Sequence, residues 1–327
     1  MDRQDFIALL SAEGQALLEK VGPLEAKTDV VQLVSKLRAG GSDPGLVATV
    51  LTQAKLRRQA KAKFGPFADR MLFTEAGLEQ ASRLSVAALH ANRFRQAGIK
   101  TVADLGCGIG AESMAMASLD INVKAFEIDE VTAAVATYNL APFENAFVEQ
   151  ADVTELDLNK FDGLFFDPAR RELGGPSRER ATRKFDPAAF SPTFDFVIEA
   201  AANKPTGVKF GPGHPHEGIP ANAEAQWVSV DGDLVELGLW FGAVARPDVK
   251  RAALLIQGNT RHEIVSHTAD RLDAPIGDLG SYVYEPDNSV VRSHLIGQLA
   301  EQIQAHLFAP EIAYLTCNQE LESPWLK

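Results

Sequence analysis

Thr101-Val102-Ala103-Asp104-Leu105-Gly106-Cys107-Gly108-Ile109-Gly110 is the stretch on which the reading of this chain turns. Its apolar residues with an acid near their end describe a short buried strand. Glycine then takes every second position, at Gly106, Gly108 and Gly110. Without a Cβ, the backbone there turns tightly and lets a ligand come close. Ala111-Glu112-Ser113-Met114-Ala115-Met116-Ala117 reads as the start of a helix. Strand, glycine turn and helix make the opening of a nucleotide-type α/β site. The dinucleotide pattern G-x-G-x-x-G, started at Gly106 or Gly108, has Ala111 or Ser113 where its third glycine belongs. Alanine is tolerated in that slot, so a nicotinamide dinucleotide stays as an alternative. D-x-G-x-G-x-G describes the stretch better.

Further acids follow in order. Val123-Lys124-Ala125-Phe126-Glu127 reads as a second strand, and Glu127 lies 17 residues after Gly110. One crossover helix returns the chain to the same crevice, where a carboxylate can accept both hydroxyls of a ribose. Asp129 comes two residues later, and Ala151-Asp152-Val153 carries the next acid. Three acids at successive strand ends are a sharper signal than a glycine-rich loop alone. Taken singly, each reads equally well as an exposed strand-end acid.

This series resembles motif I and the acids that follow it in the class I S-adenosylmethionine (SAM) methyltransferases. The resemblance implies that Asp104, with Gly106, Gly108 and Gly110, holds the amino-acid end of SAM. It implies Glu127 at the ribose, Asp129 near the ribose or the methionine end, and Asp152 at the adenine amine. Phe161 to Asp167 reads as the fourth strand and runs into Asp167-Pro168-Ala169-Arg170-Arg171. In open α/β sheets the ligand lies outside the carboxyl ends of the strands. Methyltransferases of exocyclic base amines read N/D/S-P-P-aromatic at this place. There the first side chain and the proline carbonyl accept from the amine while the ring stacks on the base. Here Asp167 and Pro168 are kept as the catalytic candidates, and Ala169 and Arg170 replace the second proline and the aromatic. Arg170 and Arg171 can grip a phosphate or carboxylate in bidentate fashion, or stack on a base. Asp-Pro is also a common turn pair.

From about Lys55 to Thr316 the chain is similar to the bacterial class I SAM methyltransferases that carry a C-terminal THUMP-like domain. The shared stretches include Phe73-Thr74, Gly77-Leu78-Glu79-Gln80-Ala81, Lys209-Phe210-Gly211-Pro212-Gly213, Trp227-Val228-Ser229, Tyr284-Glu285-Pro286-Asp287 and Ala313-Tyr314-Leu315-Thr316. A more distant resemblance is to the RNA cap trimethylguanosine synthases, which methylate guanine N2. These resemblances imply a Rossmann-like core, Thr74 over the methionine end of SAM, and Lys209 at the substrate. A THUMP-like domain is expected after Ala313–Thr316, and the chain reaches Lys327 about where that domain would begin. The expectation is therefore a trimmed or missing domain.

With 327 residues, the chain holds one large domain and smaller parts. The pattern divides it into a helical N-terminal domain over 1–97, a SAM-binding α/β core over 98–260, and a helix/strand extension over 261–327. Phe6, Leu9, Leu10, Leu17 and Leu18 recur at helical spacing, and Asp43-Pro44 starts a further helix. Trp227–Val230, Leu234–Trp240 and Ala252–Ile256 read as closing strands, with Asp231-Gly232-Asp233 as a hairpin turn. A helix is expected over Leu295–Leu307 and a strand over Ala313–Thr316. No run of 18 apolar residues occurs, and no secretory leader is recognisable. The expected location is cytoplasmic. Two cysteines, Cys107 and Cys317, frame neither a disulfide scaffold nor a zinc site. Cys107 reads as a nucleophile or as a small packing residue. His214, His216 and Glu217 lack the helical spacing of a zinc enzyme, so no metal is expected.

The net charge of −12 argues against tight, non-specific binding of long nucleic acid. Two local runs oppose it. Gly45 to Ala68 holds Lys55, Arg57, Arg58, Lys61 and Lys63 and no acid; Arg170 to Lys184 holds six basic residues against two acids. RNA is therefore a candidate partner, and a plain solvated helix face is the alternative for the first run. The leading expectation is a SAM-dependent methyltransferase acting on RNA at a base nitrogen. A methyltransferase of a small anionic metabolite and a non-catalytic SAM- or RNA-binding module stand beside it. Nothing in the sequence speaks to oligomeric state.

Overall fold

The computed structural model describes residues 1–22, 24, 29–170 and 190–327. They form two compact units, Met1–Leu164 and Phe165–Lys327.

The first unit opens with six helices: α1 (Arg3–Leu10), α2 (Ala12–Val21), α3 (Val30–Ala39), α4 (Pro44–Phe64), α5 (Glu75–Gln80) and α6 (Leu84–Gln96). Their starts are written in side-chain oxygens. Asp2 and Asp5 form a capping box on α1, and Ser11, Asp29 and Asp43 each accept from a backbone N–H in the first turn of α2, α3 and α4. Pro44 supplies the pre-set φ at the start of α4. Leu9, Leu17, Leu18, Val47 and Val50 point inward, as their helical spacing requires.

The unit continues through β1 (Thr101–Leu105), α7 (Ala111–Ala117), β2 (Asn122–Glu127), α8 (Glu130–Leu140), β3 (Ala146–Gln150) and β4 (Gly163–Phe166). β1 pairs in parallel with β2, and β2 with β3, in a register that sets Leu105 beside Phe126 and Glu127 beside Gln150. β4, whose first two residues belong to this unit, is the other neighbour of β1. Parallel strands joined by crossover helices make this a Rossmann-like arrangement.

The second unit contains β5 (Ala169–Arg170), β6 (Phe190–Ser191), α9 (Phe194–Asn203), β7 (Thr206–Phe210), β8 (Glu224–Val230), β9 (Asp233–Phe241), β10 (Arg251–Gln257) and β11 (Thr260–Ser266). The larger strands lie in the order β11-β10-β8-β9-β7. Only β8 and β10 run parallel; β7/β9, β8/β9 and β10/β11 are antiparallel. Tight turns dictate this. Asp231 and Gly232 take φ 51 and 88 between β8 and β9, the left-handed pair of a two-residue hairpin. Gly258, at φ 54, serves the turn between β10 and β11. Antiparallel pairs thus outnumber the one parallel pair among these strands.

β12 (Tyr282–Tyr284), α10 (Asn288–Arg292), α11 (Ile296–Ile303), β13 (His306–Leu307) and β14 (Leu315–Cys317) complete the chain. The strands order as β12-β14-β13. With the two helices they enclose Tyr284, Val290, Leu295, Leu299, Leu315 and Trp325. The helix expected to run to Leu307 stops at Ile303, because Gln304 turns left-handed at φ 54 and the chain leaves as β13. The strand expected from Ala313 begins at Leu315. Among the described residues, no helix is long and apolar enough to cross a membrane.

Candidate functional site

The cofactor candidates all lie in the first unit. Asp104 is fully buried in β1, and the hydroxyl of Ser113, on α7, donates to its Oδ2 at 2.5 Å. Beyond β1 the backbone amides of Gly106 and Cys107 both donate to the Phe126 carbonyl, at 2.9 and 3.0 Å, which fastens the turn to the end of β2. Gly106, Gly108 and Gly110 all have positive φ, at 91, 55 and 92. A side chain at any of the three would be strained. No atom lies within 4 Å of where a Cβ on Gly108 would sit, so the turn keeps open space against its backbone.

Glu127 ends β2. Its Oε2 accepts from the amide of Gly108 and its Oε1 from the amide of Asp129, both at 3.0 Å. A carboxylate has about four acceptor sites, so capacity for two hydroxyls remains. Asp129 caps α8 by accepting from the amide and hydroxyl of Thr132. Asp152 is exposed after β3 and accepts from the amide and hydroxyl of Thr154. Thr74 caps α5 by accepting from the amide of Gly77. Asp129, Asp152 and Thr74 therefore each hold a helical turn in place. Because β1, β2 and β3 are parallel neighbours, Asp104, Glu127 and Asp152 fall along one edge of the sheet.

Cys107 is buried. Burial, then the Asp104 and Glu127 carboxylates, push its thiol well above the ordinary value. The thiolate that a nucleophile needs is thus disfavoured. This supports the packing reading of Cys107.

The first basic run turns inward. Arg57 is buried and donates from Nε to the Met71 carbonyl at 2.8 Å. Lys63 Nζ donates to the carbonyls of Leu78, Glu79 and Ala81 at 2.9, 2.6 and 2.7 Å. Lys61 pairs with Asp69 at 3.2 Å. Arg57, Lys61 and Lys63 are thus engaged by their own unit.

The acceptor-side candidates lie in the second unit. Asp167 Oδ2 and Lys209 Nζ form an ion pair at 2.5 Å, with side chains 32% and 12% exposed. Pro168 is buried and leads into β5, which pairs antiparallel with β6 through Ala169–Ser191 and Arg170–Phe190. Arg171, and most of the second basic run with it, lies outside the described residues. The sequence put both residues on the acceptor side, but their direct ion pair, between positions 42 apart, is seen only in the fold.

The histidines after Lys209 have other partners. His214 is buried against the rings of Phe210 and Phe194, at 4.7 and 5.6 Å between centroids. His216 lies flat between Trp227, at 4.9 Å, and His294, at 3.6 Å. Its Nε2 is 2.8 Å from the Arg292 carbonyl, so that nitrogen carries the proton. Burial, then His294, lower its pKa to about 4. Among the described residues, no group of three or more His, Cys, Asp or Glu side chains converges to hold a metal ion.

Comparison with known proteins agrees with this geometry. Residues 67–178 match the methyltransferase small domain, and residues 2–60 match a domain of unknown function, DUF8688. The chain is 29% identical over 293 residues to an uncharacterized S-adenosylmethionine-dependent methyltransferase found in two strains of Mycobacterium tuberculosis, covering 86% of this chain and 76% of the relative. A crystal structure of a candidate methyltransferase from Porphyromonas gingivalis W83 superposes with a TM-score of 0.69 at 19% identity. It covers 99% of this chain and 81% of that one, and shows the fold.

The fold and these matches make the chain a Rossmann-like methyltransferase. Its methyl donor is S-adenosylmethionine. The glycine turn with room at Gly108, and the buried or strand-end acids suited to a cationic ligand with a vicinal diol, fit that donor.

Proposed function

We propose that this methyltransferase acts on RNA, at a nitrogen of a base. The Asp167–Lys209 pair carries the reading. Asp167 Oδ2 lies 2.5 Å from Lys209 Nζ, and a carboxylate paired with an ammonium is an acceptor only, suited to the N–H of an exocyclic amine. Pro168 contributes a carbonyl next to it. Arg170 and Arg171 follow, as groups for the acceptor's anionic parts.

SAM, when bound, supplies a methyl group on a sulfonium that leaves as a neutral thioether. The protein's task is then mainly positional. Asp104 and the glycine turn hold the amino-acid end, Glu127 and Asp129 the ribose side, and Asp152 the adenine. Thr74 stands over the methionine end. Asp167 orients the acceptor amine and takes up part of the positive charge that builds on nitrogen. The THUMP-like and cap-synthase resemblances belong to the same reading, which places the protein in the cytoplasm with its RNA.

A second reading has its own support. The net charge is −12, and Arg57, Lys61 and Lys63 are spent within their unit. A small anionic acceptor fits that balance. Incubation with methyl-tritiated SAM and separated fractions of unmethylated RNA, DNA and small metabolites tests both. Label in RNA, with a methylated base nitrogen after digestion, is expected. Label confined to the metabolite fraction replaces the RNA reading with the second, and SAM binding without transfer to any fraction indicates a binding module.

A further inference from the structure

After α4 a 3-10 turn over Gly65–Asp69 leads into residues 71–74, which belong to no helix or strand, yet Met71, Leu72 and Phe73 are buried, with Leu72 and Phe73 at 0% exposure. Irregular backbone taken out of water needs partners for its amides and carbonyls. Here those partners are side chains. Gln53, in the middle of α4, donates to the Phe73 carbonyl at 2.7 Å and accepts from the Phe73 amide at 3.0 Å. Arg57, one turn on, takes the Met71 carbonyl. Lys63, at the end of α4, takes the three carbonyls at the end of α5. Phe64 packs its ring on Phe73, 5.6 Å between centroids.

The other side of this strap meets the glycine turn. Asn139, buried on α8, accepts from the Leu72 amide at 2.8 Å and donates at 3.0 Å to both the Leu72 carbonyl and the Ile109 carbonyl. One amide group thus ties the strap to the turn between Gly108 and Gly110. Contact is also direct: a methyl group on Gly77 would lie 2.4 Å from Ile109 Cγ2 and 2.6 Å from Thr74 Oγ1.

We infer that α4, most of which falls in the region at residues 2–60 matched to a domain of unknown function, is a positioning element for the cofactor turn. Gln53, Arg57 and Lys63 hold the 71–81 strap. The strap, through Asn139 and the Gly77–Ile109 contact, holds the glycine turn in its SAM-competent shape. The helix thereby sets affinity for the donor. This inference rests on the SAM reading of the glycine turn.

Calorimetric titration of the full chain with SAM tests it, with thermal unfolding measured on every variant. Wild-type binding, lost in Asp104→Ala, establishes the underlying reading; no binding by the wild type removes that reading. Gly77→Ala presses on Ile109 while placing the better helix former in α5. It is expected to weaken SAM binding by about tenfold or more in a protein that still unfolds in one cooperative transition. Ile109→Ala removes one of the two atoms pressed on, so Gly77→Ala is expected to cost less SAM affinity in the Ile109→Ala background than in the wild type, the non-additivity of a direct contact. Lys63→Met keeps the stem and loses the three carbonyl bonds. It is expected to weaken SAM binding several-fold, and it serves if Gly77→Ala does not fold. Wild-type affinity in Lys63→Met, or in a folded Gly77→Ala, with Asp104→Ala inactive in binding, overturns the inference and leaves the SAM reading standing.

Discussion

Asp167 and Lys209 show how much a single pairing changes. Each alone is an ordinary residue, Asp167 just after β4 and Lys209 near the end of β7; together they make a half-buried, charge-assisted pair. Asp167→Asn keeps the shape and removes the charge. It is expected to lower methyl transfer by about a hundredfold, a loss of the kind that follows when one group stabilising developing charge is removed. SAM affinity measured on the same variant should stay within about threefold of wild type, since the residue faces the acceptor in this reading. Cys107 gives the opposite expectation. Its thiol is held protonated by burial, Asp104 and Glu127, so Cys107→Ala should retain transfer in the same assay. His216 offers a test by pH. Its pKa is about 4 when folded and about 6.5 when free, so the unfolded chain binds the proton first. The stability this neutral ring contributes is complete above about pH 6.5 and is lost as pH falls toward 4. His216→Gln keeps a donor for the Arg292 carbonyl without titrating. Thermal midpoints of the two proteins should therefore converge between pH 7 and 4.

At the scale of elements, the glycine turn and its acids were readable because each is a local device. Positive φ calls for glycine, a strand end calls for a turn, and spacing sets the crossover length. The caps were equally local, as Asp43-Pro44 at the start of α4 shows. The strap over residues 71–74 was not readable in this way. Its hydrogen bonds go to Gln53, Arg57 and Asn139, and Asn139 is 67 positions from Leu72. The same blindness explains α11 and β11. Gln304 breaks a pattern that is apolar on both sides of it, and β11 carries exposed polar residues over its first half, as an edge strand can. Asn139→Leu tests the strap as an element. It strands the Leu72 amide and carbonyl in the core, and chemical denaturation should report a loss of about 2–3 kcal/mol.

For the molecule as a whole, charge sets the terms on which an acceptor can bind. At −12, with Arg57, Lys61 and Lys63 committed to carbonyls and an acid, the first basic run offers RNA fewer cations than its sequence suggests. Binding of a short RNA should therefore depend only weakly on salt, with a slope matching about three or fewer phosphate contacts. A steep slope would show that a larger basic surface is at work. The chain order of strands, turns and acids determined a nucleotide-type α/β core and, by its resemblance to motif I, pointed to SAM, because those features are encoded in neighbouring residues. Which cations face solvent, which polar side chains hold the 71–81 strap, and that Asp167 meets Lys209 were decided by the folded structure alone. Those outcomes depend on burial and on pairs of groups far apart in sequence. A lysine that serves three carbonyls reads, along the chain, the same as one that serves a phosphate.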